Sequence, residues 1–257
     1  MAAPHLATIS SITTYPIKGL AGQTHEAITV TKGGLLPGDR AYALSSGTKA
    51  SLAAMGNEWL KKAHFLQMMK FEDLAALDLS FDPDSTHLRL SDKQADELLF
   101  EGALNNDKDA AILCAAMADY LDLESVPRLF HLADGGMTDT KTPYVAFGNT
   151  ASISDFAQKT GLDDDERRFR LNVMMTGMPP LAEVGLIGKT LEIGTAAFEV
   201  CEPVGRCAAI EVDPQSAERR TGLVQALQDA YGTTDMGVFA KVVKAGYFKQ
   251  GDEVRLA

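Results

Sequence analysis

Between Thr8 and Leu44 the chain passes three times through short runs of β-branched and apolar residues: Thr8 to Tyr15, Ala27 to Val30 and Ala41 to Leu44. Each run is cut short by glycine or proline, in Pro16-Ile17-Lys18-Gly19, Lys32-Gly33-Gly34 and Pro37-Gly38-Asp39-Arg40. No helix of useful length fits between such breaks, but short strands do, and strand, glycine turn, strand is the start of a meander or barrel. Thr8 to Tyr15 reads as an edge strand, because Pro16 cannot donate to a ladder. The same punctuation returns near the end. Lys189 to Gly194, Ala196 to Val200 and Cys207 to Val212 are three strand candidates in succession. Gly237 to Lys244 and Asp252 to Leu256, joined through Gly246 and Gly251, read as a closing hairpin.

The middle of the chain mixes the two periodicities. Asn57 to Phe71, with Trp59, fits a helix followed by a strand. Leu74 to Phe81 and Thr86 to Leu90 flank the turn formers Asp82-Pro83-Asp84-Ser85, a hairpin. Ser91 to Lys108 is polar, with Asn105-Asn106-Asp107 as its loosest part, so a seam here divides the chain into residues 1–105 and 106–257. Asp109 to Leu121 is apolar nearly all round and reads as a buried helix, with Cys114 an inert core thiol. Val126 to Ala133 is a short strand, ended by Asp134-Gly135-Gly136. Ser152 and Asp155 have capping-box spacing before a helix that ends at Gly161. Gly222 to Ala230 is an amphipathic helix ending at Gly232. The fold class is mainly β with several helices.

At 257 residues the chain holds one large or two small domains, and 46% apolar with 23% charged residues is ordinary globular composition. The net charge of -11 argues against nucleic acid as a partner, which a basic surface would serve. It leaves room for a small basic pocket that takes an anionic cofactor. Three cysteines at unrelated spacings make no disulfide framework and suit a reducing compartment. The N-terminus lacks a basic start and an apolar run, and no window reaches the roughly eighteen apolar residues of a spanning helix. The expectation is a cytoplasmic protein without a membrane partner.

The chemistry concentrates between Phe198 and Pro214, where Gly205-Arg206-Cys207 follows Pro203-Val204. Pro203 to Gly205 reads as a bend between two strands, with Arg206 and Cys207 emerging beyond it. A cysteine beside a guanidinium has its thiolate favoured, and a thiolate is a nucleophile and a soft metal ligand. Most cysteines of intracellular domains are small core residues, so this segment alone leaves both readings open. Lys18 and Arg40 fall at strand ends, where sites form, although each alone reads equally as a solvated cation. Arg167 to Val173 starts a strand on which Arg168, Arg170 and Asn172 share one face, either exposed or a fork of donors for phosphate or a pterin ring. The acidic run Asp163-Asp164-Asp165-Glu166 reads as a solvated loop. No glycine-rich phosphate loop is present, and Cys201 with Cys207 lacks the spacing of a zinc knuckle.

Gly205-Arg206-Cys207-Ala208-Ala209-Ile210-Glu211-Val212-Asp213-Pro214 resembles the signature of the MOSC domain family, named from the C-terminal part of molybdenum cofactor sulfurases. Tyr15-Pro16-Ile17-Lys18-Gly19 and Gly38-Asp39-Arg40-Ala41-Tyr42 resemble motifs of its N-terminal β-barrel domain, with glycine where many relatives carry serine after the lysine. Phe169-Arg170-Leu171-Asn172 resembles a Phe-Arg-Pro-Asn motif with leucine for proline, and Ala151-Ser152 a segment before a pocket-lining helix. The resemblance covers nearly the whole chain in order. It implies a MOSC-type β-barrel preceded by a smaller β-barrel-like domain, similar to the amidoxime-reducing component and its bacterial relatives.

On that resemblance the cofactor is the molybdenum-pterin cofactor, Cys207 is the metal ligand and catalytic residue, and Lys18, Gly19, Arg40, Ser152, Arg170, Asn172 and Arg206 bind the cofactor. The implied activity is an oxidoreductase acting on N-hydroxylated small molecules. Some bacterial relatives append a ferredoxin domain, which this sequence does not show, so a separate redox donor protein is implied. A different reading is sulfur carriage by a persulfide on Cys207, which needs an exposed thiol but no converging cations.

Overall fold

The computed structural model describes residues 5–54, 58–132 and 135–257. Its strands are β1 (His5–Thr14), β2 (Gln23–Thr24), β3 (Ala27–Val30), β4 (Tyr42–Leu44), β5 (Leu77–Asp82), β6 (His87–Asp92), β7 (Glu97–Ala103) and β8 (Leu129–His131), followed by β9 (Val145–Asn149), β10 (Val173–Thr176), β11 (Thr190–Ile193), β12 (Ala196–Gly205), β13 (Asp235–Lys244), β14 (Gly246–Lys249) and β15 (Glu253–Leu256). The helices are α1 (Lys49–Ala53), α2 (Asp107–Tyr120), α3 (Thr150–Thr160) and α4 (Leu223–Tyr231). Among the described residues no helix is long and apolar enough to cross a membrane.

Seven strands form a closed barrel in the order β10-β9-β13-β12-β11-β15-β1, with β1 pairing back onto β10. The barrel interior is apolar. Phe198 meets Phe147 and Phe248 edge to face at 5.1 and 5.5 Å, and Ile9, Val238 and Val254 fill the space around them. β9 and β10 are parallel, so a crossover must join them, and α3 supplies it. With α4, α3 packs against the barrel's outside through Phe156, Leu223 and Leu227.

The smaller N-terminal part is built around the meander β5-β6-β7, with α2 packed on it through Leu113 and Met117 against Leu88, Leu90 and Phe100. Two ladders, β4 with β8 and β3 with β14, tie it to the rest. The mainly β class with a barrel is as the sequence predicts.

Several local expectations are corrected. β1 is no edge strand: it pairs with β10, β15 and β2, and Pro16 falls just past its last ladder position. The polar Ser91–Lys108 stretch contains β7, whose alternation is faint because Phe100 is its one fully buried side chain. α2 is capped by Asn106 and buries one face only, leaving Ile112 58% exposed. The helix and strand expected from Asn57 to Phe71 are a single 3-10 turn, Lys62–His64, and a bridge from Phe65 to Ser45; Asn57 itself lies outside the described residues, as do Ala133 and Asp134.

The last two segments are not a hairpin either. β14 leaves to pair with β3 while β15 pairs with β1 and β11. Gly246 permits this departure, since a Cβ there would lie 2.4 Å from the Thr195 carbonyl carbon.

Candidate functional site

The site gathers where β1 and β12 end and β10 begins. Past Thr14 the chain zips onto the segment before β4. Tyr15 N–H donates to Asp39 Oδ1 at 2.8 Å, Arg40 N–H to the Tyr15 carbonyl at 2.7 Å, and Lys18 N–H to the Tyr42 carbonyl at 2.8 Å. Lys18 and Arg40 are thereby fixed in neighbouring loops. Gly19 follows at φ 88°, and a Cβ there would lie 2.7 Å from the Leu66 carbonyl oxygen. The serine of the resembling motif does not fit this backbone without a shift, which accounts for glycine.

Residues 166–172 are not the strand that their alternation suggests. Glu166–Phe169 is a 3-10 turn capped by the Asp165 carboxylate, and Arg170 leaves it in the left-handed region at φ 52°. That reversal splits the expected fork of donors. Arg168 is buried and holds the Ile210 and Val212 carbonyls at 3.3 and 3.1 Å and Asp213 at 2.6 Å. It pins the Ala208–Glu211 turn that starts directly after Cys207. Arg170 reaches toward the N-terminal part, donating to the Leu20 carbonyl at 2.6 Å.

The strand expected over Cys207–Val212 is this turn. Conversely, β12 does not bend at Pro203 but runs on to Gly205. Register shifts at Val200/Glu202 and Pro203/Gly205 absorb the missing N–H. Arg206 and Cys207 then emerge from the end of β12, with Arg206 N–H donating to the Thr234 carbonyl at 2.9 Å.

Lys18, Gly19, Arg40, Arg170, Asn172, Arg206 and Cys207 all line one cavity of about 330 Å³. Ser152 does not. It is buried in α3, inside the helix that Asn149 caps, and its hydroxyl donates to the buried Glu183 carboxylate at 2.8 Å while accepting from Leu181 N–H at 2.8 Å. Asn172 lines the cavity as a brace. Its Oδ1 accepts from Ala146 N–H at 3.1 Å and from Arg40 at 3.5 Å, and its Nδ2 donates to Asp39 and to the Thr13 carbonyl, both at 3.1 Å. Its hydrogen-bonding capacity is spent within the protein.

The electrostatics set this cavity apart from the acidic whole. Arg40 is held by Asp39 at 2.5 Å and Lys18 by Asp139 at 2.5 Å. Arg170 and Arg206 have no carboxylate within 4.0 Å among the described residues; Arg206 donates to the Phe169 carbonyl at 2.6 Å, and its Nε is buried without a partner. Burial lowers both guanidinium pKa values to about 10, which leaves them charged at neutral pH. Burial also lowers Lys18, against the pull of Asp139. Two cations without counter-ions among the described residues, beside a half-buried thiol, make a site for an anion. Among the described residues no group of three His, Cys, Asp or Glu converges as metal ligands.

Three members of the site escaped the sequence reading. Tyr15 and Asp39 sit inside motifs singled out for Lys18 and Arg40, so their positions carried a signal. Asp139, between Thr138 and Thr140 in an irregular segment, carried none. A second cavity, of about 520 Å³, shares Met68, Arg168, Arg170 and Ala209 as lining but contains no cysteine.

Comparison with known proteins bears on both halves of the chain. The family model for the MOSC N-terminal beta barrel domain matches residues 6–124, and that for the MOSC domain residues 137–255. The chain is 33% identical over 108 residues to the molybdenum cofactor sulfurase of Caenorhabditis briggsae, covering 41% of this chain and 15% of that protein. It is 34% identical over 105 residues to that of Caenorhabditis elegans, covering 40% and 14%. The chain thus spans only a small part of the curated relatives it matches. Among solved structures, the YUAD protein from Bacillus subtilis superposes with a TM-score of 0.49 at 14% identity, covering 97% of this chain and 94% of that one. YiiM from Geobacillus stearothermophilus gives 0.36 at 18% identity, covering 44% and 53%.

Proposed function

The chain belongs to the MOSC domain family, and from that footing we propose that its Cys207 cavity holds a molybdenum-pterin cofactor and that the protein is an oxidoreductase acting on N-hydroxylated small molecules, with electrons from a separate donor. One observation carries the reading: Arg170 and Arg206, both without a carboxylate partner among the described residues, face the same cavity as Cys207. The donor set fits the group. A phosphate would meet Arg170 and Arg206, whose guanidinium groups have no carboxylate partner among the described residues, while Lys18 stays on Asp139. Arg40 is tied to Asp39 and Asn172, so it contributes field and shape more than a free hydrogen bond.

When bound, the cofactor would supply a metal centre that takes an oxygen atom from substrate in a two-electron exchange. The protein's part is narrower. Cys207 would give one thiolate ligand, positioned by the turn that Arg168 pins through the Ile210 and Val212 carbonyls. Tyr144 and Phe239, stacked at 5.3 Å, line the same cavity and keep part of its wall apolar.

The test is molybdenum content by elemental mass spectrometry, on protein from a host that makes the pterin cofactor. Near-stoichiometric metal in the wild type, lost in Cys207→Ser and in Arg170→Ala, is expected. Metal absent from the wild type would end the oxidoreductase reading.

A second reading has its own support, since the curated relatives are molybdenum cofactor sulfurases. Cys207 would then attack the outer sulfur of a donor persulfide, releasing the donor's thiol, and pass the sulfane sulfur on to a metallocofactor. Persulfide loading needs the thiol but not the cations, so Arg170→Ala would leave it intact while Cys207→Ser abolishes it.

A further inference from the structure

Among the described residues, Asp139 is the one carboxylate lining a cavity otherwise furnished with cations. Its Oδ1 takes the Lys18 ammonium at 2.5 Å, and its Oδ2 lies 3.8 Å from the Lys62 ammonium. Both lysines line the cavity, as does Asp139. The segment that carries it is tied down. The Trp59 indole donates to the Thr138 carbonyl at 3.0 Å, and the Thr138 hydroxyl donates to the Thr140 carbonyl at 2.7 Å. Lys18 is 7% exposed, so its ammonium has little water to turn to and Asp139 satisfies it.

The cavity's cations therefore fall into two sets. Among the described residues, Arg170 and Arg206 donate only to carbonyls or sulfur and have charge to spare. Lys18 and Lys62 share a carboxylate of the protein's own. The sets share one field: Arg170 and Arg40 act on Lys18, and Asp139 acts on Arg206. An incoming anion with one phosphoryl group is served by the arginines and leaves Asp139 in place. A second phosphoryl group would need the lysines, and would meet Asp139 there first.

We infer that Asp139 is a specificity-determining residue, which restricts the cavity to ligands with a single phosphoryl group by keeping Lys18 and Lys62 occupied. This rests on reading the cavity as an anion site. Within that reading the chain selects a phosphate monoester and rejects a diphosphate, and the selection comes from repulsion and an occupied cation as much as from attraction.

The experiment is calorimetric titration of the full chain, from a host unable to make the pterin cofactor, with inorganic phosphate and with inorganic pyrophosphate. Asp139→Asn is expected to tighten pyrophosphate by about tenfold and phosphate by less than about threefold. The selective gain should vanish in the Lys18→Met/Asp139→Asn double variant, because long-range charge removal alone would survive the loss of Lys18. An equal gain for both anions, or a gain that persists without Lys18, overturns the role of Asp139. Arg170→Ala keeps the two levels separable. If it binds phosphate as the wild type does, or if no form binds either anion, the anion-site reading itself falls and this inference with it.

Discussion

Arg40 Nη2 donates to the backbone carbonyl of Arg170 at 3.2 Å, and the two residues adopt the same left-handed backbone, φ 51° and 52°. Such a conformation is uncommon for a side chain of this size and is sustained by its surroundings. Here both guanidinium groups lie over the ring of Tyr15, 4.5 and 4.3 Å from its centroid, and the ring's face offsets part of their mutual repulsion.

Tyr15 is therefore expected to position both arginines through its ring. Its hydroxyl donates to the Leu171 carbonyl at 3.2 Å, so Tyr15→Phe should cost about 1 kcal/mol in urea unfolding and leave phosphate affinity unchanged. Tyr15→Leu removes the ring. Phosphate affinity should then fall by about tenfold, beyond any effect of the lost hydroxyl. Equal phosphate binding by the Phe and Leu variants would deny the ring this role.

Ser152 supplies two contacts to Glu183, a carboxylate with no exposure, and Asn149 Nδ2 adds one at 3.2 Å. Ser152→Ala leaves that carboxylate underserved and should destabilise the fold by about 2–3 kcal/mol. Because the hydroxyl lies outside the cavity, molybdenum per folded protein should match the wild type. Loss of metal at unchanged stability would place Ser152 on the cofactor instead.

These residues show what was legible beforehand. Lys18, Arg40 and Cys207 sit in motifs whose resemblance to one family implied a shared pocket, although nothing in their own spacing brings them together. Ser152 had the right spacing for a cap, but Asn149 took that place, and competition between two capping side chains three residues apart is settled by where the preceding strand ends. Alternation over Arg168–Asn172 pointed to a strand. The Asp165 cap and a left-handed Arg170 made it a turn, because tertiary contacts to Leu20 and Tyr15 outweigh the local pattern. Pro203 misled in the other direction, since a bulge lets a strand carry a proline.

Asp139 gives a pH signature with a definite sign. Burial alone would raise its pKa, but Lys18, with Lys62 and Arg40, outweighs it and brings the value to about 2. A depressed carboxylate contributes stability that is complete above its unfolded value near 4 and is lost as pH falls toward about 2. With its side chain 55% exposed, the contribution belongs to the screened range, below about 1 kcal/mol. The stability difference between wild type and Asp139→Asn should therefore be flat from about pH 8 to about pH 5 and close below about pH 4. A difference that widens on acidification would contradict the Lys18 pairing.

The three thiols provide an internal comparison. Cys114 is buried and burial pushes its thiol pKa up, so it should alkylate only on unfolding. Cys201 and Cys207 are both half-buried, and both should react with iodoacetamide in the native protein. They differ in what they face. Cys201 Sγ donates to the Glu199 carbonyl at 3.2 Å on β12 and does not line the cavity, whereas Cys207 lines it beside Arg206. Inorganic phosphate seated on Arg170 and Arg206 would both cover Cys207 and add negative charge next to it, and each effect slows attack by a thiolate. Peptide mapping after timed alkylation should thus show Cys207 protected severalfold by phosphate, with Cys201 unchanged. Protection of both thiols would indicate a general salt effect, and protection of neither would mean that the anion does not sit where the arginines and the thiol meet.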